Sequence, residues 1–556
     1  MITDVISRGP EFDIQSVYDP TFVSFIKAIP GTKWNSISKT WTLPLYASEV
    51  IMRDGRQFIP SQYILDKLIS VMSIINYPLP QNLKTPLWDS LQELGYRFLL
   101  TREKCILADI MGMGKKAQSL AAVLYLMQSG ARSGRINKTV IVSIKPDLFQ
   151  WYDPTEKEGI LKFIPIDKDL IVMPKGSKRD RQLIYQQFVD DPALKFLVLN
   201  YEKAVTTEFD VIVNSLQKES CIILDECAYI KNYTTKRSKS ILRLQANYKF
   251  ALSGTPVQNS PADVYNINRF LDNNSLGPYY DFLNRYAITS NIMINGRLKR
   301  VITGWRNLYD IHRRIGPLIL RRDVNPYVHE PITKTIHISL QSSEVAVYDF
   351  IKNSVMNQLK ANADASTILP LWSIQKMFCD SPKLLMQSQA QILSTFDREI
   401  FNVDGSKFEE FTRLVDILIS DPRQVVVFVS YIPMADMLRD WINNKYGPIA
   451  ISYRGDTTEE EAIVPFQKGQ YKFLISGNKG SHALNLPMAG ILVHYDLHWN
   501  PEVMDQREGR IMRPEQGSNI LILKMVVEDE DKIEQYITSK LLRKRRYSDV
   551  IIDGKI

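Results

Sequence analysis

Eight short runs of apolar, largely β-branched residues constrain this chain most: TVIVSI (139–144), KFLVLNYE (195–202), CIILDE (221–226) and YKFALSG (248–254), then QVVVFVSY (424–431), YKFLISG (471–477), GILVHYD (490–496) and NILILKMVV (519–527). None alternates apolar with polar, so neither face of the strands they form can meet water. Strands buried on both faces belong to parallel sheets covered by helices, and the stretches between the runs are helical in pattern. The two series lie far apart in 556 residues, too many for one core. The expected fold class is therefore α/β, with one parallel-sheet lobe at 80–275 and a second at 401–535. Between them, 276–400 reads as a helical insertion, clearest at SSEVAVYDFIKNSVMNQLKANA (342–363). Residues 1–75 stand apart as a small N-terminal domain, and 536–556 read as a basic C-terminal helix or tail.

Hydrophobic residues make up 45% of the chain and charged residues 23%, as in globular proteins, and no stretch has the ~18 uninterrupted apolar residues of a membrane helix. No membrane partner is expected. The start, MITDVISRGPEFD, lacks a signal-peptide pattern, so the chain is expected to stay in the compartment where it is made: the cytoplasm of a bacterial or virus-infected cell, or a eukaryotic nucleus. Cys105, Cys221, Cys227 and Cys379 have no C-x-x-C spacing and read as reduced, buried thiols. Lys plus Arg number 69 against 61 Asp plus Glu, a mild excess that permits a polyanionic partner without requiring one. RRIGPLILRR (313–322) and KLLRKRRYS (540–548) concentrate that charge, although such runs are often only solvated faces.

ADIMGMGKKAQSL (108–120) follows the apolar KCIL and precedes a strong helix former, which gives the order strand, glycine-rich turn, helix. Backbone N–H groups at such a turn make a nest for anions, the helix dipole adds to it, and Lys115 can reach the outer phosphates of a nucleotide. Asp225 and Glu226 end an apolar strand, where carboxylates suit a cation and an attacking water. A solvated strand end would look the same.

Further motifs follow in a fixed order: LSGTPVQNSPADVYNINRFL (252–271), LRR (320–322), GSHALNLPMAGILVHYDLHWNP (480–501) and QREGRIMRPEQ (506–516). This succession, covering about 85–540, resembles the Swi/Snf-like superfamily 2 helicase-type ATPases. The resemblance implies two RecA-like lobes, ATP and Mg2+ as cofactors, and roles for matching residues. LQELGYRFLL places Gln92 where adenine is recognised. Gly112, Met113, Gly114, Lys115 and Lys116 form the phosphate loop, Asp225 is the metal ligand, and Glu226 activates water. Gln506, Arg510 and Arg513 match the last motif, whose arginines reach the nucleotide; their spacing suggests one helix face. The chain also departs from the pattern. Ile110 replaces an acid, Lys116 replaces a magnesium-ligating threonine, and Ala228 stands where a histidine is common. A slower but live ATPase is the expectation, with a hydrolysis-poor nucleotide-binding scaffold as the alternative.

Members of this family bind duplex DNA, and by position Lys145, Tyr201, Gln258, Asn485 and Trp499 are candidates for the DNA-facing surface; Trp499 equally suits core packing. His494 and His498 fall on a strand end and loop, where four-residue spacing does not pair two rings on a metal. Residues 22–54 resemble the HARP module of annealing helicases, with Trp34, Trp41, Lys27, Lys33 and Lys39 offering the aromatic and cationic mix that single strands favour; a small β-rich domain with tryptophans in its core is the other reading. The chain is thus expected to be a monomeric DNA-dependent ATPase acting on duplex, forked or branched DNA, with a translocase acting on RNA polymerase as a further alternative.

Overall fold

The computed structural model describes residues 2–8, 11–16, 18–36, 38–44, 47, 51, 74, 76–87, 90–129, 136–294, 297–322, 330–360, 365–386, 398–477, 480, 484–513, 519–528 and 533–554. The chain divides into two compact units: Met1–Tyr286 with Asn307–Pro326 and Arg546–Ile556, and Ala287–Arg306 with Tyr327–Arg545.

The first unit is built on a seven-stranded sheet whose order is Ile319–Leu320, Lys104–Leu107, Tyr248–Leu252, Ser220–Asp225, Lys138–Ser143, Phe196–Asn200, Ile171–Val172. Every pairing is parallel. The apolar runs dictate this, because strands such as Ser220–Asp225 and Phe196–Asn200 are buried along their whole length. Helices Ser90–Arg102 and Lys115–Gln128 pack together over the sheet, around Leu99, Leu120, Val123 and Phe250. Gly95 permits that approach, since a Cβ there would land on the Gln118 side chain.

At the start of the same unit, Ile2–Arg8, Glu11–Ser16, Thr40–Pro44 and Lys33–Asn35 form an antiparallel sheet in that order, crossed by helix Pro20–Ala28. Phe12, Ile14, Phe22, Ile26, Trp41 and Leu43 fill its core. Trp41 is therefore a packing residue. Trp34, 4.9 Å from it, is half exposed, and Lys27, Lys33 and Lys39 are exposed. Part of the HARP-like stretch, residues 37, 45–46, 48–50 and 52–54, lies outside the described residues.

The second unit carries a six-stranded parallel sheet in the order Ile332–Ile338, Leu521–Val527, Ala489–His494, Gln424–Phe428, Phe473–Ser476, Ala450–Tyr453. Its two faces pack separate clusters, one around Val425, Val427 and Ile491 and the other around Val426, Phe428 and Leu492, as alternating side chains of a doubly covered sheet must. Each lobe is thus a parallel sheet between helices. The stretch expected to be helical, 276–400, holds helices Ser342–Lys360 and Ala365–Asp380, but also an antiparallel hairpin, Ala287–Ile294 with Arg297–Trp305, and one strand donated to each large sheet. All four cysteines are buried and form no disulfide.

Candidate nucleotide-binding site

Strand Lys104–Leu107 delivers the glycine-rich turn to the C-terminal edge of the first sheet, where ligands of open α/β sheets collect. Gly112 (φ 83°) and Gly114 (φ 74°) are both left-handed, a conformation that glycine adopts without steric cost. Gly114 caps helix Lys115–Gln128, and a Cβ there would strike the Gln92 amide. The Lys115 ammonium donates to the carbonyl oxygens of Asp109 (2.7 Å) and Ile110 (3.2 Å), folded along the turn. Burial pulls this amine below the ordinary lysine range, against the opposing pull of Asp109, Glu226 and Asp225. The turn after strand Tyr248–Leu252 runs alongside, close enough that a Cβ on Gly254 would lie 3.9 Å from Lys115 Nζ.

A buried ion pair holds the turn from beneath. Arg322 donates from Nε to Asp109 Oδ1 (2.8 Å), from Nη1 to the Leu91 carbonyl, and from Nη2 to Asp109 Oδ2 and to Gln118 Oε1 (2.9 Å). Both partners are fully buried. Gln118 Nε2 in turn donates to the Met113 carbonyl at 2.7 Å, and Gln92 Nε2 lies 3.4 Å from the same oxygen. Gln92 is 1% exposed, so its amide packs under the phosphate loop. The LRR motif (320–322) pointed to no role for Arg322, because its contact with Asp109 depends on the pairing of Ile319–Leu320 beside Lys104–Leu107, which only the structure shows.

Asp225 ends strand Ser220–Asp225, one strand beyond Tyr248–Leu252. Glu226 then adopts φ 49° and ψ 54°, a left-handed conformation costly for glutamate that turns the chain out of the sheet. Ala228 is buried. Around Asp225 the chain gathers donors. Oδ2 accepts from Trp151 Nε1 (2.7 Å) and Ser143 Oγ (3.0 Å), Oδ1 from the Glu226 N–H (3.2 Å), and Lys116 Nζ lies 3.5 Å from Oδ2. Lys116 also donates to Gln150 Oε1 and sits 5.5 Å above the Trp151 ring. Ser143, Gln150 and Trp151 were not singled out from the sequence, although VSIKPDLFQW contains all three.

The surface candidates divide. Lys145 and Asn485 are exposed. Tyr201 is completely buried: its hydroxyl donates to the Asp225 carbonyl (2.8 Å) and its ring stacks on Tyr229 at 5.3 Å. It braces the acidic strand end and cannot face DNA. Gln258 is also buried, accepting from Lys231. Trp499 stacks on Trp372 (5.9 Å) beside Tyr536, which is its packing role.

In the second unit, helix Pro501–Glu508 ends at Gly509, so Arg510 and Arg513 follow it in a turn and do not share a helix face. They converge for another reason: Arg510 Nη1 (3.1 Å) and Arg513 Nη2 (3.4 Å) both donate to the Leu484 carbonyl, while Arg510 Nε donates to Gln506 O. Gln506 is buried, its amide near Glu502. Arg507 is wholly buried over Phe428 and beside Asp496. His494 is buried and bonded to Glu508 (3.2 Å).

Residues 57–384 match the SNF2-related domain, and 406–515 match the helicase conserved C-terminal domain. The chain belongs to the SNF2-related helicase family. It is 27% identical over 484 residues to YwqA of Bacillus subtilis, named as an ATP-dependent helicase/translocase, covering 84% of this chain and 48% of that one. It is 23% identical over 489 residues to a RAD54-like DNA repair and recombination protein of Drosophila pseudoobscura pseudoobscura, covering 81% and 60%. The chain thus spans less than two thirds of the length of these relatives. The SWI2/SNF2 ATPase core of Sulfolobus solfataricus in complex with dsDNA aligns over 85% of this chain and 94% of its own, with a TM-score of 0.38 and 22% identity.

Membership of this SNF2-related family implies ATP, typically with magnesium. The residues fit a triphosphate: two left-handed glycines, a helix N-terminus and Lys115 converge on one turn. They do not fit a magnesium ion held directly by Asp225. Magnesium requires oxygen ligands in near-octahedral array. Here Asp225 Oδ2 meets an indole N–H, a hydroxyl and an ammonium, and position 116 supplies a cation where a hydroxyl oxygen would be needed.

Proposed function

We propose that this chain is an ATP-driven translocase on duplex or branched DNA, which anneals strands, migrates branches or remodels forks. The observation that carries the reading is the convergence of Lys115, Asp225, Glu226 and the Ser253–Gly254 turn at the C-terminal ends of three adjacent strands of one sheet. Phosphoryl transfer needs positioning and charge more than covalent chemistry, and this edge supplies a phosphate nest, a lysine and an acid placed to orient water. In this reading Arg510 and Arg513 add positive charge to the nucleotide when the lobes close, which couples hydrolysis to motion. The names of the relatives, a helicase/translocase and a DNA repair and recombination protein, support DNA as the partner.

Exposed Lys145 and Asn485 are the proposed phosphate contacts, and the N-terminal sheet with Trp34, Lys27, Lys33 and Lys39 is the proposed HARP-like reader of single strands or junctions. The test is ATP hydrolysis without DNA and with single strands, duplex and a fork. Stimulation of at least tenfold by duplex or fork is expected. A rate indifferent to every DNA would overturn the motor and favour the second reading, a DNA-binding scaffold that holds nucleotide and hydrolyses little. The ammonium lodged against Asp225 is what favours that alternative.

A further inference from the structure

Lys116 is held in place by three separate groups. Helix Lys115–Gln128 places it one residue after the phosphate-loop lysine; the turn at Gln150–Trp151 gives it a carbonyl acceptor and an aromatic face; and strand Ser220–Asp225 gives it a carboxylate at 3.5 Å. Its side chain is only 24% exposed, so it is not a lysine waving in solvent. An ammonium has three N–H donors. Gln150 takes one, Asp225 faces the ammonium as an ion pair at 3.5 Å, and N–H capacity remains for a phosphate oxygen delivered by the neighbouring glycine turn.

Trp151 and Ser143 complete the arrangement. Both donate to the carboxylate oxygen that Lys116 faces, fixing Asp225 so that this oxygen is directed to donors and the ammonium. A divalent ion bound through Oδ2 would compete with the indole N–H and the hydroxyl for that oxygen, and would meet a like charge. The site therefore has its cation already, covalently tethered and counter-balanced by the acid that ordinarily serves the metal.

We propose that Lys116 replaces the divalent cation, so that this chain takes ATP in its metal-free, fully anionic form. The inference rests on the nucleotide-binding reading of the loop and concerns binding. Two ammonium groups, Lys115 and Lys116, stand side by side at the helix N-terminus, where one lysine and one metal would otherwise share the triphosphate charge.

The full chain titrated with a fluorescent ATP analogue, in excess magnesium and in excess EDTA, tests this. Affinities within about threefold of each other are expected. Lys116→Thr, which restores a hydroxyl and removes the charge, is expected to bind at least tenfold more weakly in EDTA than in magnesium. Lys116→Arg, which keeps the charge and serves if the threonine variant does not fold, is expected to bind equally in both. Wild-type binding only with magnesium would overturn the inference and leave the nucleotide site standing. Undiminished binding of Lys116→Thr in EDTA would overturn it too, because the charge would then come from elsewhere. Absence of binding in both buffers would overturn this inference and the nucleotide reading together.

Discussion

Glu226 combines a left-handed backbone with a carboxyl group beside the phosphate loop, and a non-glycine residue persists in that conformation only where its surroundings hold it. Glu226→Gln keeps the shape and removes the proposed base, so the ATP hydrolysis proposed for this chain is expected to fall by about 100-fold or more while ATP binding is retained; steady-state rates and a binding titration read the two separately. Arg322 makes the opposite kind of contribution, touching no expected ligand but fixing the loop through Asp109. Arg322→Met strands a buried carboxylate and is expected to cost about 3–5 kcal/mol in the denaturant unfolding of the first unit. Adding Asp109→Asn should recover much of that loss. The identities of the loop lysines and acids were legible in the sequence because a phosphate loop is a local motif. That Lys116 meets Gln150, Trp151 and Asp225 was not, because those contacts join segments far apart in the chain.

Helix packing in the second unit is tied by buried charge. Lys407 bonds Asp380 at 3.1 Å and also Glu534, so one ammonium links the helices Ala365–Asp380, Ser406–Leu418 and Ile533–Ile551. Lys407→Met leaves two carboxylates in an apolar interior, and the second unit is expected to lose about 3–5 kcal/mol by chemical denaturation. Strand Ala489–His494 adds a pH dependence. Burial lowers the His494 pKa to about 4, so the ring stays neutral in the fold, its Nε2–H directed at Glu508. The unfolded chain binds that proton below about 6.5, so the contribution is complete above pH 6.5 and shrinks as pH falls toward 4, by roughly 3 kcal/mol in all. Urea midpoints of the second unit should fall over that window, and His494→Gln should flatten the fall. At this scale the apolar runs announced their strands within one to three residues. Ile332–Ile338 gave little sign, because it is mostly exposed and reads TKTIH, and Arg510 with Arg513 was misplaced on a helix that Gly509 ends.

Each unit has its own apolar clusters, so calorimetry of the whole chain is expected to resolve two transitions. ATP at about 100 times its dissociation constant should stabilise the first unit by ~2.7 kcal/mol, since the phosphate loop lies there. Trp151, against Lys116 and Asp225, offers a fluorescence reporter for that transition. The sequence by itself determined the α/β class, the two lobes and the glycine turn before a helix, because burial on both strand faces and such a turn are written in consecutive residues. Tertiary structure alone decided that Tyr201 braces an acid in the interior, that Trp499 packs against Trp372, and that an ammonium meets Asp225. Those outcomes depend on which sheet edge gathers residues from separate strands, and no local pattern encodes that meeting.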